Sequence, residues 1–264
     1  MTGISTLYEP PIARLRLERP DRRNAISRAM WLALPSLAAE IAARDEALVV
    51  IVEGAGGHFS GGADLSEFDA VYRDAASTRD YSEAIQNGLK ALVDLDRPTL
   101  AVLKGAAIGG GLALALCCDL RFSASDAHLA IPPARRGLLY GETETRRLVE
   151  TVGPARARDL LFSARRVAPE EALAIGLVDR MLPADEIDAA ALDYAAALAA
   201  LSQRSIREAK RAIAAIARGG ASSEAFAARV EAAALGPDFA EDRAASQQKR
   251  APKFADRGAT KPLL

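Results

Sequence analysis

Two glycine-rich stretches hold the residues best placed to do chemistry, and that chemistry is main-chain binding of an anion. One is Gly54-Ala-Gly-Gly-His-Phe-Ser-Gly-Gly-Ala-Asp64, after the apolar run Leu48 to Val52. The other is Gly105-Ala-Ala-Ile-Gly-Gly-Gly-Leu-Ala-Leu-Ala-Leu-Cys-Cys-Asp119, after the run Thr99 to Leu103. In the second, the glycines at 109 to 111 open an apolar helix over about 110–117. The first N–H groups of a helix lack internal partners, so a strand, a glycine turn and a helix start together suit a negatively charged atom. A tight turn with close helix packing is the plainer account of the same glycines. If both strands lie in one sheet, both turns emerge at its C-terminal edge, where α/β proteins bind ligands. One N–H from each turn can then meet on one oxygen. Such an oxyanion hole stabilises an enolate or a tetrahedral oxyanion, each donor contributing about 2.7–4 kcal/mol in a transition state.

Other chemistries fit less well. The two histidines, His58 and His128, have no acid partner at a recognisable spacing and are expected to be structural. Ser60 lies in Phe-Ser-Gly-Gly, which lacks the Gly-x-Ser-x-Gly elbow of a serine nucleophile. A dinucleotide fingerprint begun at Gly54-x-Gly56 needs a third glycine where Phe59 stands. Neither turn continues into a Gly-Lys-Ser/Thr phosphate loop, and no metal-ligand spacing is visible.

Four stretches resemble, in order, the motifs of the crotonase family, the enoyl-CoA hydratase/isomerase superfamily. They are Arg19-Pro-Asp-Arg-Arg-Asn-Ala-Ile26, Phe59-Ser-Gly-Gly-Ala-Asp-Leu65, Gly105 to Arg121 and Ala168-Pro-Glu-Glu-Ala-Leu-Ala-Ile-Gly-Leu-Val178. The resemblance covers nearly the whole chain. It implies a CoA-thioester ligand whose carbonyl oxygen is held by the backbone N–H groups of Ala63 and Gly110. It implies, too, that the backbone around Ala63, Asp64 and Leu65 meets the adenine, and that Ala25 lines the pantetheine path. Arg22 or Arg23 would reach a CoA phosphate, although exposed loop arginines are commonly just solvated. Pro133 is grouped with these ligand-binding positions. No cofactor is expected beyond the CoA moiety of the substrate. The family's protomers form trimers or hexamers, and Lys249 to Phe254 is the stretch that could reach a neighbouring site.

The departures from the family pattern decide the expected reaction. Hydratases of this family use two glutamates, and the matching positions here are Ala113 and Pro133. General acid–base groups typically contribute about 10²–10⁴-fold each, so ordinary hydration should be weak or missing. In its place, Gly137-Leu-Leu-Tyr-Gly-Glu-Thr-Glu-Thr145 puts Glu142 and Glu144 at a helix start, where some family isomerases resemble it in carrying a single acid. Glu142 is the first candidate and Glu144 the second. Glutamates also favour a first helical turn for the helix dipole alone. One carboxylate beside an oxyanion hole can move a proton between carbons, which is double-bond isomerisation. Hydrolysis or ring opening of a specialised acyl-CoA stands behind that. A non-catalytic acyl-CoA-binding protein is the rival from another class.

The elements that must position these residues follow from periodicity. Ile12 to Glu18 alternates as a half-exposed strand, and Ser27 caps a helix to about Ala43, which Pro35 should kink or truly begin. Ser66 to Asp80 reads as a polar, acidic, mobile segment, and Tyr81 to Leu95 as a helix. Short strands are expected at 119–123, 128–131 and 176–182, with helices opening at Gly141, Ala155 and Pro169. Beyond Pro183 alanine, leucine and charge dominate, predicting helices only. The expected fold is therefore α/β, by resemblance a crotonase-like spiral of repeated β-β-α units with a helical C-terminal region. The core is expected over 1–196 and the helical, trimer-forming region over 197–264. With 264 residues, 50% of them hydrophobic and a net charge of −1, the chain can bury a large core and calls for no nucleic acid. Adjacent Cys117 and Cys118 suit the core of a protein in a reducing compartment. With no leader-like start and no apolar run of membrane-spanning length, the expectation is a soluble cytoplasmic protein without a membrane partner.

Overall fold

The structure is a computed structural model and describes residues 2–217, 219–220 and 223–254. Its frame is a six-stranded sheet in the order β1 (Ile4–Glu9), β2 (Ile12–Leu17), β3 (Val49–Gly54), β4 (Thr99–Leu103), β6 (Leu120–Ala124) and β9 (Arg180–Leu182). All pairs from β2 onward are parallel, and β1 adds an antiparallel edge. Every residue of β3 and β4 is buried, as unbroken apolar runs in a parallel sheet should be. A second, three-stranded sheet joins β5 (Ala106–Ile108), β7 (His128–Ala130) and β8 (Arg166–Val167). Single bridges extend this second layer, Ser60 to Ala107 and Ile26 to Ala63.

Helices cover the sheets. α1 (Arg28–Ala42) packs on α3 (Ala75–Val93), and α7 (Ile187–Ala199) lies on β2, β3, β4 and β6. Ser27 caps α1 by accepting from the Met30 N–H. Pro35 lies inside that helix and does not begin it. Proline cannot donate to the Trp31 carbonyl four residues back. Gly88 of α3 sits against that carbonyl, so closely that a Cβ there would come within 2.9 Å of it.

The polar segment Ser66 to Asp80 is mostly helical. A single turn at Leu65–Glu67 leads into α2 (Phe68–Val71), and α3 begins at Ala75. Two aspartates set these turns: Asp64 accepts from the Ser66 N–H and Asp74 from the Ser77 N–H. Downstream, α4 (Gly110–Leu116) follows β5, and α5 (Glu142–Ser163) is broken at Gly153 into the two helices expected from the sequence. α6 (Pro169–Ala174) precedes β9, and α8 (Gln203–Ala217), α9 (Ser223–Ala234) and α10 (Pro237–Gln247) complete the chain's described part. α7 runs from Ile187 to Ala199, across the expected boundary between 196 and 197. Lys210 of α8 ties the outer helices back to the core through Asp119 and the Arg97 carbonyl. Residues 255–264 of the expected C-terminal region lie outside the described residues.

Candidate active site

β3 and β4 are neighbouring parallel strands, so the two glycine turns do leave the same sheet edge. Ser60 then bridges Ala107, and Ile26 bridges Ala63, which lays the two turns side by side. Gly62 makes the approach possible. Its φ of +98° is poor for any L side chain, and a Cβ there would sit 2.7 Å from the Ile108 carbonyl oxygen. The Ile26 bridge uses the Gly62 carbonyl and the Asp64 N–H and turns the Ala63 N–H the other way. Gly110 is the first residue of α4, so its N–H has no helical acceptor. Among the described residues neither N–H meets an acceptor. The two nitrogens are close: the Cβ position of Gly110 lies 3.6 Å from Ala63 N, and that of Gly62 lies 3.6 Å from Gly110 N.

A polar clasp holds this arrangement. Asn24, fully buried, donates from Nδ2 to the carbonyls of Ala55 and His58 and accepts from the Arg19 N–H. Its own carbonyl accepts from Ser60 Oγ at 2.8 Å. Arg19 donates to the Ala25 carbonyl and to Asp64 Oδ2, both at 2.7 Å. Burial works to raise the Asp64 carboxyl, but its hydrogen bonds from Ser66 and Arg19 outweigh that and hold it below the usual range. His58 Nδ1 accepts from the Ala106 N–H at 3.1 Å, and Ser60 Oγ is spent on Asn24 and the Gly62 N–H. Both side chains therefore serve the scaffold.

Two cavities meet at Ala63. One, of about 150 Å³, is walled by Trp31, Phe68, Tyr72, Tyr81, Pro132, Pro133, Tyr140 and Glu144, with Ala63 and Gly110 on its rim. The other, of about 360 Å³, is lined by Arg22, Arg23, Ala25, Ala63, Asp64 and Leu65. The two share Gly61, Ala63, Leu65 and Ile108. The structure thus gathers six of the sequence-predicted ligand positions in one groove. Gly110 and Pro133 are not among them and line the first cavity. The Asp64 side chain is turned to Arg19 and Ser66, so only its backbone is free to face the groove.

Exposure separates the two glutamates. Glu142 points outward, 79% exposed, and pairs with Arg146 one turn along. Glu144 is buried and is the one carboxylate lining the first cavity among the described residues. Two positions on a helix differ by about 200°, so the pair cannot share a face. Gln86 of α3 fixes Glu144, donating from Nε2 to Oε2 at 2.7 Å while its Oε1 accepts from the Thr143 N–H. Ala113 is buried within α4, and neither it nor Pro133 brings a carboxylate.

Aromatic residues missed by the sequence reading complete the cavity. Tyr140 Oη donates to the Gly109 carbonyl at 2.7 Å, bracing the start of α4. Burial, and after it the charge of Glu144, pushes the Tyr140 and Tyr72 hydroxyls above their ordinary range, so both stay protonated beside the carboxylate. Tyr72 stacks edge-on against Phe68 and Tyr81, with ring centres 5.1 and 5.7 Å apart. Phe68 comes from α2, Tyr72 from the turn after it, Tyr81 from α3 and Tyr140 from the loop before α5, and nothing in their local spacing marks them. Among the described residues no group of acidic, histidine or cysteine side chains is placed to hold a metal, and no helix is long and apolar enough to cross a membrane.

A family model described as enoyl-CoA hydratase/isomerase matches residues 9–257. A Mycobacterium bovis protein named "Probable enoyl-CoA hydratase echA12" is 32% identical over 261 residues, spanning 94% of this chain and 90% of its own length. A solved enoyl-CoA hydratase/carnithine racemase from Magnetospirillum magneticum superposes with a TM-score of 0.92 at 33% identity, covering 97% of this chain and 96% of its own. An enoyl-CoA hydratase from Bacillus anthracis does so with a TM-score of 0.90 at 28% identity, covering 96% and 99%.

Proposed function

The chain belongs to the enoyl-CoA hydratase/isomerase family, and from that premise we propose that it isomerises an enoyl-CoA with Glu144 as its single proton carrier. The observation that carries this reading is the burial of Glu144 in the cavity that also holds the unpaired Ala63 and Gly110 N–H groups. The thioester oxygen sits between those N–H groups, the acyl chain enters the aromatic cavity, and the CoA moiety runs along the Arg22 to Leu65 groove. The Glu144 carboxylate takes a proton from C2 of a 3-enoyl-CoA. Electrons move from that C–H bond to the thioester oxygen, giving a dienolate held by the two donors. Protonated Glu144 then returns the proton to C4, and the product is the 2-enoyl-CoA. No second carboxylate is needed, which suits Ala113 and Pro133 where hydration would require glutamates. Exposed Ile213, Ile216, Phe226, Val230 and Phe239 on the outer helices give the expected trimer or hexamer an apolar face.

The test is conversion of 3-enoyl-CoA substrates, followed by mass and chromatography. Glu144→Gln keeps the contact with Gln86 through its amide oxygen and should lower kcat by about 10²–10⁴-fold. Glu142→Gln removes only an exposed ion pair and should stay within about twofold. Full activity in Glu144→Gln would overturn the assignment. Rapid hydration of a 2-enoyl-CoA would overturn the argument from Ala113 and Pro133, and tight binding with no turnover would favour an acyl-CoA carrier.

A further inference from the structure

Proton transfer asks more of Glu144 than a place in the cavity. One of its oxygens must be presented to the acyl chain and the other held still. Gln86 of α3 does the holding. The Thr143 N–H can be met only by an oxygen, so it fixes the Gln86 amide with Oε1 toward α5 and Nε2 toward the carboxylate. Nε2 then donates to Glu144 Oε2 at 2.7 Å. Glu144 Oε1 accepts no hydrogen bond from the described residues and is not sealed inside the protein, so it faces the cavity that Glu144 lines. Gly141 leaves room for the pair. Its φ of −70° and ψ of 179° suit any residue, so the backbone does not call for glycine. Space does: a Cβ there would come within 2.4 Å of Gln86 Nε2 and 2.7 Å of Glu144 Oε2.

The two carboxylate oxygens are thereby made unequal. A proton arriving on Oε2 would meet the Gln86 N–H head-on, donor against donor, and cost the hydrogen bond. A proton arriving on Oε1 disturbs nothing. We propose that Gln86 is a positioning residue for the isomerisation, with Gly141 as its spacer. Together they commit Oε2 to the scaffold and leave Oε1 to take the proton from C2 and return it to C4. This rests on Glu144 being the proton carrier. When the C2–H bond breaks and Oε1–H forms, Oε2 becomes the carbonyl oxygen of the acid and keeps its bond from Gln86. The side chain therefore holds one orientation until Oε1–H breaks and C4–H forms.

The experiment is steady-state turnover of a 3-enoyl-CoA by Gln86→Leu, Gly141→Ala and Glu144→Gln, and by Glu144→Gln combined with each of the other two, with a melting curve for every variant. Gln86→Leu and Gly141→Ala should each lower kcat by about tenfold to a hundredfold, as a reacting group misplaced by about 1 Å does, and leave KM within about twofold. Gly141→Ala keeps both side chains and meets only their flexible ends, so it should melt with the wild type and decides the matter if Gln86→Leu does not fold. In the combined variants the loss should be that of Glu144→Gln alone, because Gln86 acts through Glu144, whereas a role confined to joining α3 and α5 would add its own loss. Wild-type kcat in Gln86→Leu or Gly141→Ala beside a slow Glu144→Gln, or additive losses in the combined variants, would overturn this inference alone. Full activity in Glu144→Gln would overturn the proton-carrier assignment and this inference with it.

Discussion

Replacing Gly62 with alanine, beside Gly61→Ala as its control, tests whether the N–H pair depends on one backbone conformation. At Gly62 the methyl would meet the Ile108 carbonyl oxygen at 2.7 Å with φ at +98°. Both neighbours are backbone, so neither can swing away. Strain at such a φ costs about 1–3 kcal/mol and an overpacked contact a similar amount, giving a loss of roughly 2–6 kcal/mol. With a urea slope of roughly 3 kcal/mol/M, the unfolding midpoint should fall by about 0.7–2 M. The relief available is a shift of the Gly62–Ala63 peptide away from Ile108, which carries the Ala63 N–H off the oxyanion position. Loss of one such donor lowers kcat by about 10²–10³-fold. At Gly61 the methyl would lie 3.5 Å from Arg23 in ordinary contact and without positive φ, so Gly61→Ala should be neutral or stabilise by about 0.4–1 kcal/mol. Urea titration and enoyl-CoA turnover on the two variants decide the matter. A Gly62→Ala protein that matches Gly61→Ala in midpoint and kcat would refute the reasoning.

Other expectations are as direct. Burial pushes both thiols up, that of Cys118 to about 12, so iodoacetamide at pH 8 should leave the native protein unlabelled and modify both after unfolding, as read by mass spectrometry. Asp64 is held low in the folded state, so its contribution is fully present above the ordinary aspartate value of about 3.9 and fades as pH falls through the lower folded value. Thermal melts taken downward from pH 5 should show an acid decline that Asp64→Asn makes shallower. Light scattering should return a mass of three or six chains, and a monomer would remove the self-association proposal.

Much of the frame was legible because its cues are local. The runs at 48–52 and 99–103 are long and apolar enough to be buried strands, and the glycines after them mark the turns. Ser27 announces the start of α1. The strands β1, β5 and β8 were missed: β5 and β8 are only three and two residues long, and β1 is defined by its pairing with β2. The helical turns between Ser66 and Asp80 were not legible because the segment's polarity hides two aspartate-capped starts. The site divides in the same way. The main-chain donors follow from glycine spacing and family resemblance, whereas the cavity wall is assembled from α1, the 65–72 segment, α3 and the 132–144 segment. The choice between Glu142 and Glu144 depends on the rotational phase of α5. That phase is set by Gln86, more than fifty residues away in sequence.

The Asn24 clasp has a consequence for how this site can change. Its side chain and carbonyl bind the Arg19 N–H, the Ala55 and His58 carbonyls and a serine hydroxyl, and the anion donors themselves are peptide groups. The proposed oxyanion site thus rests on the chain path and on the few clasp side chains that hold it. The carboxylate, by contrast, rides on α5, a helix that can be resubstituted without touching that path. A lineage can move its acid from one helix turn to another and keep a working enolate site at every step, and Glu144 set against Ala113 and Pro133 is the pattern such a relocation would leave.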